Sequence, residues 1–204
     1  MHISHALATV ALLSISGLAT PTEAAPVEAS TWHGGGEQGT YSNAIGWQFT
    51  ALSDMTVTHL GVLDLDEPGL SDRHTIGLFN EAGDLLVSTS LGAGLSGDLY
   101  LGSMIYDAVG LTMLEQGETY YILADNWTQD RYGWGWDAVS YSDDVEWTNF
   151  SETTGPSIFD TVLHYYDGEP GTLGPGFLYQ VAPSPGALAL LGLAGCAARR
   201  RRRR

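Results

Sequence analysis

The chain of 204 residues has no lysine, and six of its eight basic residues are the terminal Arg199 to Arg204. Everything before Arg199 therefore sets 24 acidic groups against only Arg73 and Arg131, a formal −22. A body so charged repels nucleic acid and anionic lipid, and it stays soluble by self-repulsion, which a salty exterior screens. The single cysteine, Cys196, lies in the last stretch. The body thus has no disulfide to lean on and is held by its apolar core. No segment between the two ends carries a helical apolar period of useful length, and no internal repeat is visible, which excludes a helical bundle and a solenoid. What is plentiful is glycine, 26 residues, with six Trp and ten Tyr. That composition suits many short strands joined by tight turns.

Both ends are set apart from this body. Ala6 to Ala19 is a weakly apolar run, followed by Thr20-Pro21-Thr22-Glu23-Ala24. It is too short to span a bilayer, and small residues at Thr22 and Ala24 suit cleavage, with Val27 and Ala29 offering a second site. Residues 1–24 are expected to be a helical signal peptide, although Met1 to His5 contains neither Lys nor Arg. At the other end Val181-Ala182-Pro183-Ser184-Pro185 leads into the apolar stretch Gly186 to Ala198 and then the six arginines Arg199, Arg200, Arg201, Arg202, Arg203 and Arg204. As a helix, the apolar stretch is about 20 Å long against a hydrocarbon core near 30 Å. It spans only with help from the hinge and from snorkelling arginine stems, which suits a temporary anchor with the arginines on the cytoplasmic side.

About 150 residues remain between the ends, enough for one domain with a core of its own. Gly46 to Ala51 alternates Trp47, Phe49 and Ala51 against polar neighbours, as a half-buried strand does. Met55 to Leu65 is a β-branched, apolar strand closed by the acidic loop Asp66 to Asp72. His74 to Asn80, the turn Glu81-Ala82-Gly83-Asp84, and Leu85 to Leu91 read as a hairpin. Further strands are expected at Leu99 to Tyr106, Ala108 to Leu114, Thr119 to Asp125, Val145 to Phe150, Thr161 to Tyr166 and Gly176 to Val181, with Leu114-x-x-Gly117 turning a hairpin into Thr119. Turn signals at these intervals predict an all-β fold: a single antiparallel, jelly-roll-like β-sandwich over residues 25–180.

The tail, Pro183-Ser184-Pro185 plus apolar helix plus arginine cluster, resembles the PEP-CTERM sorting signal of Gram-negative and planctomycete-type bacteria; Ser184 stands where that signal has Glu. The body also resembles a β-sandwich domain of unknown function common in PEP-CTERM proteins. The resemblance is carried by Thr58-His59-Leu60-Gly61-Val62, His74-x-Ile76-Gly77-Leu78-Phe79, Gly83-Asp84-Leu85-Leu86 and Leu114-x-x-Gly117-x-Thr119-Tyr120. It implies a non-enzymatic exported protein whose partner is an exosortase-type sorting enzyme. The implied route is a transient inner-membrane anchor with the body on the periplasmic side, then the cell surface or extracellular matrix.

Three constellations suggest chemistry within the body. Asp64, Asp66, Glu67 and Asp72 place four carboxylates in one loop, a possible set of hard oxygen ligands for Ca²⁺ without EF-hand spacing; a solvated acidic turn is the plainer reading, and no other cofactor is expected. Asp143, Asp144 and Glu146 form a second acidic group. Trp127, Tyr132, Trp134 and Trp136 lie on one loop beside Asp130 and Asp137, where rings can stack on sugars of an extracellular polysaccharide while carboxylates accept hydroxyl hydrogens; core packing is the alternative. Catalysis finds little: none of the six histidines has metal-site spacing or a nucleophile motif beside it, and His59 with His74 is expected to meet across adjacent strands as packing. A hydrolase acting on extracellular polymers is the third reading, with no carboxylate pair to locate it. Leu193-Ala194-Gly195-Cys196 resembles a lipobox at the wrong end of the chain.

Overall fold

The computed structural model describes residues 25–34, 37–65, 69–135, 138–165 and 173–181. The expected signal helix and the whole sorting tail after Val181 lie outside them. Among the described residues every regular element is a strand, and no helix is long and apolar enough to cross a membrane. The fold is all-β and sandwich-like, with strands β1 (Val27–Glu28), β2 (Ser30–Trp32), β3 (Glu37–Gly39), β4 (Ile45–Ala51), β5 (Met55–Leu63), β6 (His74–Asn80), β7 (Leu85–Leu91), β8 (Leu99–Leu101), β9 (Met104–Leu114), β10 (Thr119–Ala124), β11 (Tyr132–Trp134), β12 (Val139–Tyr141), β13 (Val145–Thr153), β14 (Val162–Tyr165) and β15 (Pro175–Val181).

Four of these strands pair as β11–β3 and β12–β2, and the other eleven form two antiparallel sheets. One runs β1-β15-β5-β9-β8 and the other β14-β13-β4-β10-β6-β7. Their inner faces meet in one core, to which β4 sends Ile45, Trp47, Phe49 and Ala51, and β15 sends Phe177 and Tyr179. Strand alternation alone would not keep β5 in that core along its whole length. A bulge between Val57 and His59 shifts the parity, so Met55 and Val57 point inward before it and Leu60 and Val62 after it. Smaller cores lie outside each sheet: Leu63, Met104, Tyr106 and Leu178 under Val139 and Leu173, and Phe79, Tyr121 and Leu123 under Ile158.

The expected hairpin is present with the bounds read from the sequence, β6 paired to β7 through Gly83 at φ 91°. Two turns differ. The chain reverses at Gly102, φ 57°, so β8 is three residues long and β9 runs unbroken through Asp107, where the sequence suggested a break. The Leu114-x-x-Gly117 turn is not a hairpin either: β9 and β10 belong to different sheets, and the turn carries the chain across the core. The same correction applies to His59 and His74, which sit in opposite sheets because the acidic loop between them is also a crossing.

Two connections bear on how the body is attached. β1 pairs antiparallel with β15, Val27 against Tyr179, so the chain enters and leaves the body side by side at one end of the five-stranded sheet. β15 is held on both flanks, by β1 and by β5.

The close sheet-internal approach at Gly46 gives a test of this register. A Cβ there would lie 1.7 Å from the Ile122 carbonyl oxygen, whereas one at Gly110 meets nothing within 4 Å. Gly46→Ala is expected to cost at least several kcal/mol or abolish folding, and Gly110→Ala to change stability by less than about 0.5 kcal/mol, as read by urea melts.

Candidate functional site

The loop that follows β10, from Asp125 to Arg131, is tied to the start of β6 by a buried pair. His74 Nε2 lies 2.9 Å from Asp130 Oδ2, and both side chains are almost fully buried. The other ring nitrogen, Nδ1, faces the Asp125 carbonyl oxygen and must donate to it. Nε2 then shares a proton with a carboxylate that already accepts the backbone N–H of Ser71 at 2.7 Å and of Asp72 at 3.0 Å. The result is a hydrogen bond to a carboxylate, stronger than one between neutral groups. Burial by itself would raise the Asp130 pKa, but the two backbone donors and His74 outweigh it and hold the carboxyl below its ordinary value. Asn126 turns the chain here at φ 64°, and its amide donates to the Arg73 carbonyl.

At Asp130 and Trp127 the structure shows core packing, one of the two readings of the aromatic loop. Asp130 is 3% exposed and already accepts from Ser71, Asp72 and His74, so it is turned away from a surface ligand. Trp127 is likewise a core residue. Its ring is fully buried, its Nε1 donates to the Ala124 carbonyl at 2.7 Å, and it packs against His74 and Gly174. A ring with both faces covered cannot stack on a ligand.

The other aromatics are placed differently. Tyr132 and Trp134, on β11, are half-buried with ring centres 5.2 Å apart, and Tyr41 meets Tyr132 edge-on at 6.3 Å. The Tyr41 hydroxyl donates to Glu152 Oε2. Burial, and after it the charge of Glu152, holds the Tyr132 phenol above its ordinary pKa. Glycines make this cluster possible: a Cβ on Gly39 would lie 2.9 Å from the Trp134 ring, and one on Gly133 2.4 Å from Trp32. Trp136 and Asp137 lie outside the described residues. Tyr41 and Glu152 had no signal in the sequence, because they lie 91 and 20 positions from Tyr132 and meet it only through the sheet.

Of the four loop carboxylates, Asp64 is buried and its Oδ2 accepts the Gly69 N–H at 2.9 Å. Asp72 is half-buried some way along, with its N–H on Asp130. Asp66 and Glu67 lie outside the described residues. Among the described residues no group of three or more His, Cys, Asp or Glu is placed to hold a metal ion. In the second acidic group, Asp144 accepts from Ser53 and from Tyr179, both at 2.9 Å, and so fastens the β12–β13 turn to the sheet end.

Among the described residues Ser151 Oγ lies 2.8 Å from His164 Nδ1, and Ser140 Oγ 2.7 Å from His33 Nε2. Ser151 is fully buried, directly across the β13–β14 ladder from His164, so it is out of reach of a substrate carbonyl. Burial lowers the His164 pKa, against the charge of Glu81.

The pH dependence of the buried pair follows from Asp130. Its folded pKa is depressed, so its stabilisation is complete above the unfolded carboxyl value and is lost as pH falls through the folded value. Asp130→Asn is expected to cost about 3–5 kcal/mol at pH 7, because it strands His74 in the core. The variant should also lose less stability than the parent between about pH 5 and pH 2. Urea denaturation across that range measures both effects.

No family model matches the chain, and no curated protein matches it, so the resemblances of tail and body rest on the residues quoted above.

Proposed function

We propose that this chain is an exported, non-enzymatic envelope or extracellular-matrix protein, sorted through residues 181–204 by an exosortase-type enzyme after a transient stay in the inner membrane. The observation that carries the reading is the tail itself, Pro183-Ser184-Pro185, thirteen apolar or small residues and six arginines, joined without a spacer to β15. The layout of the body fits it: both connections leave at one end of the sheet, Val27 beside Tyr179, so the tail holds the body from that end. A strong acid excess fits a soluble domain in a salty exterior. The histidines support the non-enzymatic part: His74 has both nitrogens committed, and the hydroxyl opposite His164 is buried. We read residues 25–180 as one jelly-roll-like sandwich domain, since successive strands repeatedly cross between the two sheets over a common core.

A second reading is favoured by one observation: the half-buried Tyr132 and Trp134 rings stand beside a hydrogen-bonded Tyr41–Glu152 pair. Flat rings with a carboxylate at their rim suit the apolar face and hydroxyls of a polysaccharide. The ligand surface is then Tyr132, Trp134 and Tyr41, with Trp127 as its support.

Replacing Arg199 to Arg204 with serines should release full-length protein or misplace it; membrane retention and processing are followed by fractionation and mass, and no change in either sinks the sorting reading. For the sugar reading, full chain on a polysaccharide array should bind, with binding lost in Trp134→Ala while its melting temperature falls little. Absence of binding to any polymer removes that reading.

A further inference from the structure

One end of the sandwich gathers four turns and the exit of the tail. Val181 pairs with Met55, and Met55 with Leu114, so the chain leaves the body two strand spacings, about 10 Å, from the end of β9. The turns after Ala51 and Leu114 join the two sheets at this end. The turn of the β6–β7 hairpin and the one entering β13 lie beside them, because Tyr120 pairs with Asn80 and Val145 with Ala51. Every one of these turns carries carboxylates, and none carries a lysine or arginine. Arg73 and Arg131 stand at the opposite end, next to the His74–Asp130 pair.

The carboxylates at this end are not equivalent. Asp54 accepts the Gln116 N–H, Asp84 the side-chain amide of Asn80, and Asp144 the hydroxyls of Ser53 and Tyr179. Glu81, Glu115 and Glu118 are exposed, and among the described residues no hydrogen bond or ion pair takes up their carboxylates. These three line one open groove of about 420 Å³, together with Leu86 and Met113, which are 37% and 67% exposed. Uncommitted carboxylates over apolar surface fit a guanidinium on a hydrocarbon stem. The head binds the acids while its methylenes cover the leucine and methionine.

We propose that this groove receives the chain's own Arg199–Arg204 whenever that block lies on the body's side of the membrane. Charge, reach and tethering select this occupant. The block holds six of the eight basic residues of the chain. Eighteen positions lead from Val181 to Arg199, and extended they reach about 60 Å, far more than the few strand spacings between the tail exit and the groove. Tethering gives the block an effective concentration of the order of mM, which a free cationic segment seldom matches. The inference adds to the sorting reading without needing it. Docked arginines are masked from anionic lipid, so body and bilayer compete for one cationic segment.

Disulfide trapping in the full chain tests this, because Cys196 is the single cysteine and lies just before the block. Met113→Cys puts a second thiol in the groove, and the chain is oxidised in dilute, lipid-free buffer of low ionic strength. A disulfide within one chain should form about fivefold faster than when Glu115→Gln and Glu118→Gln are added, or when Arg199 to Arg204 are made serine. Asp72→Asn with Asp98→Asn removes the same charge outside the groove and should leave the rate unchanged. The tether is the same in all these chains, so equal rates with and without the two glutamates overturn the proposal. So does an equal slowing by the two asparagines, or a disulfide found only between chains. Should the glutamine chain fail to fold, salt decides on the Met113→Cys chain alone: about 0.5 M NaCl should remove the advantage by screening, and a rate indifferent to salt overturns the docking.

Discussion

The contact on which the body depends is the one between Trp47 and Phe177 across the two sheets, ring centres 5.9 Å apart and planes inclined by 15°. Phe49 lies against both rings, and Tyr141 closes on Trp47 from the side. A chain without a body disulfide, and with two arginines to answer its carboxylates, has no other large source of cohesion. Aromatic rings bury roughly 150–250 Å² each, which at about 25 cal/mol per Å² is several kcal/mol per ring before entropy is counted. The stack also fixes geometry. Trp47 Nε1 donates to the Pro175 carbonyl at 2.8 Å, so the ring that fills the core also sets where β15 begins. Gly46, just before it, lets β4 and β10 approach closely, and the hydrophobic contact and the backbone register therefore specify each other.

Polar groups do a different task in this molecule. His74–Asp130, Asp64–Gly69 and Asp144–Tyr179 each fasten a loop to a sheet, and each carboxylate accepts from a buried or backbone donor in place of a lysine or arginine. The many acids are thus of two kinds. A few are inward staples whose oxygens are already committed, and most of the others stay in solvent and supply the repulsion that keeps the body soluble.

The main strands were legible because they are apolar or β-branched runs bounded by turn residues: β4, β6, β7, β10 and β15 fall within a residue of the runs read from the sequence. The short ladders β2–β12 and β3–β11 were not, because three residues carry no period and their pairing is decided by contacts about 100 residues away. Turn types were legible only where glycine marked a hairpin. At Gly117 the same residues turn the chain into the opposite sheet, a choice made by which face of Leu114 and Tyr120 is buried. The aromatic loop shows the limit for sites. Trp127 and Trp134 are alike in sequence context, yet one is sealed under His74 and Gly174 and the other is half open, and only the fold separates them.

The position of β15 between β1 and β5 has a mechanical consequence. A pull at Val181 acts along the axis of a strand whose hydrogen bonds on both sides lie across that axis. Such a load is shared by many bonds in parallel, whereas a load at right angles would open them one at a time. Phe177 and Tyr179, seated in the core, would have to be drawn through it before the strand slid. The terminus of this body is therefore built to carry tension, and a force on the tail meets the strongest direction of the sheet.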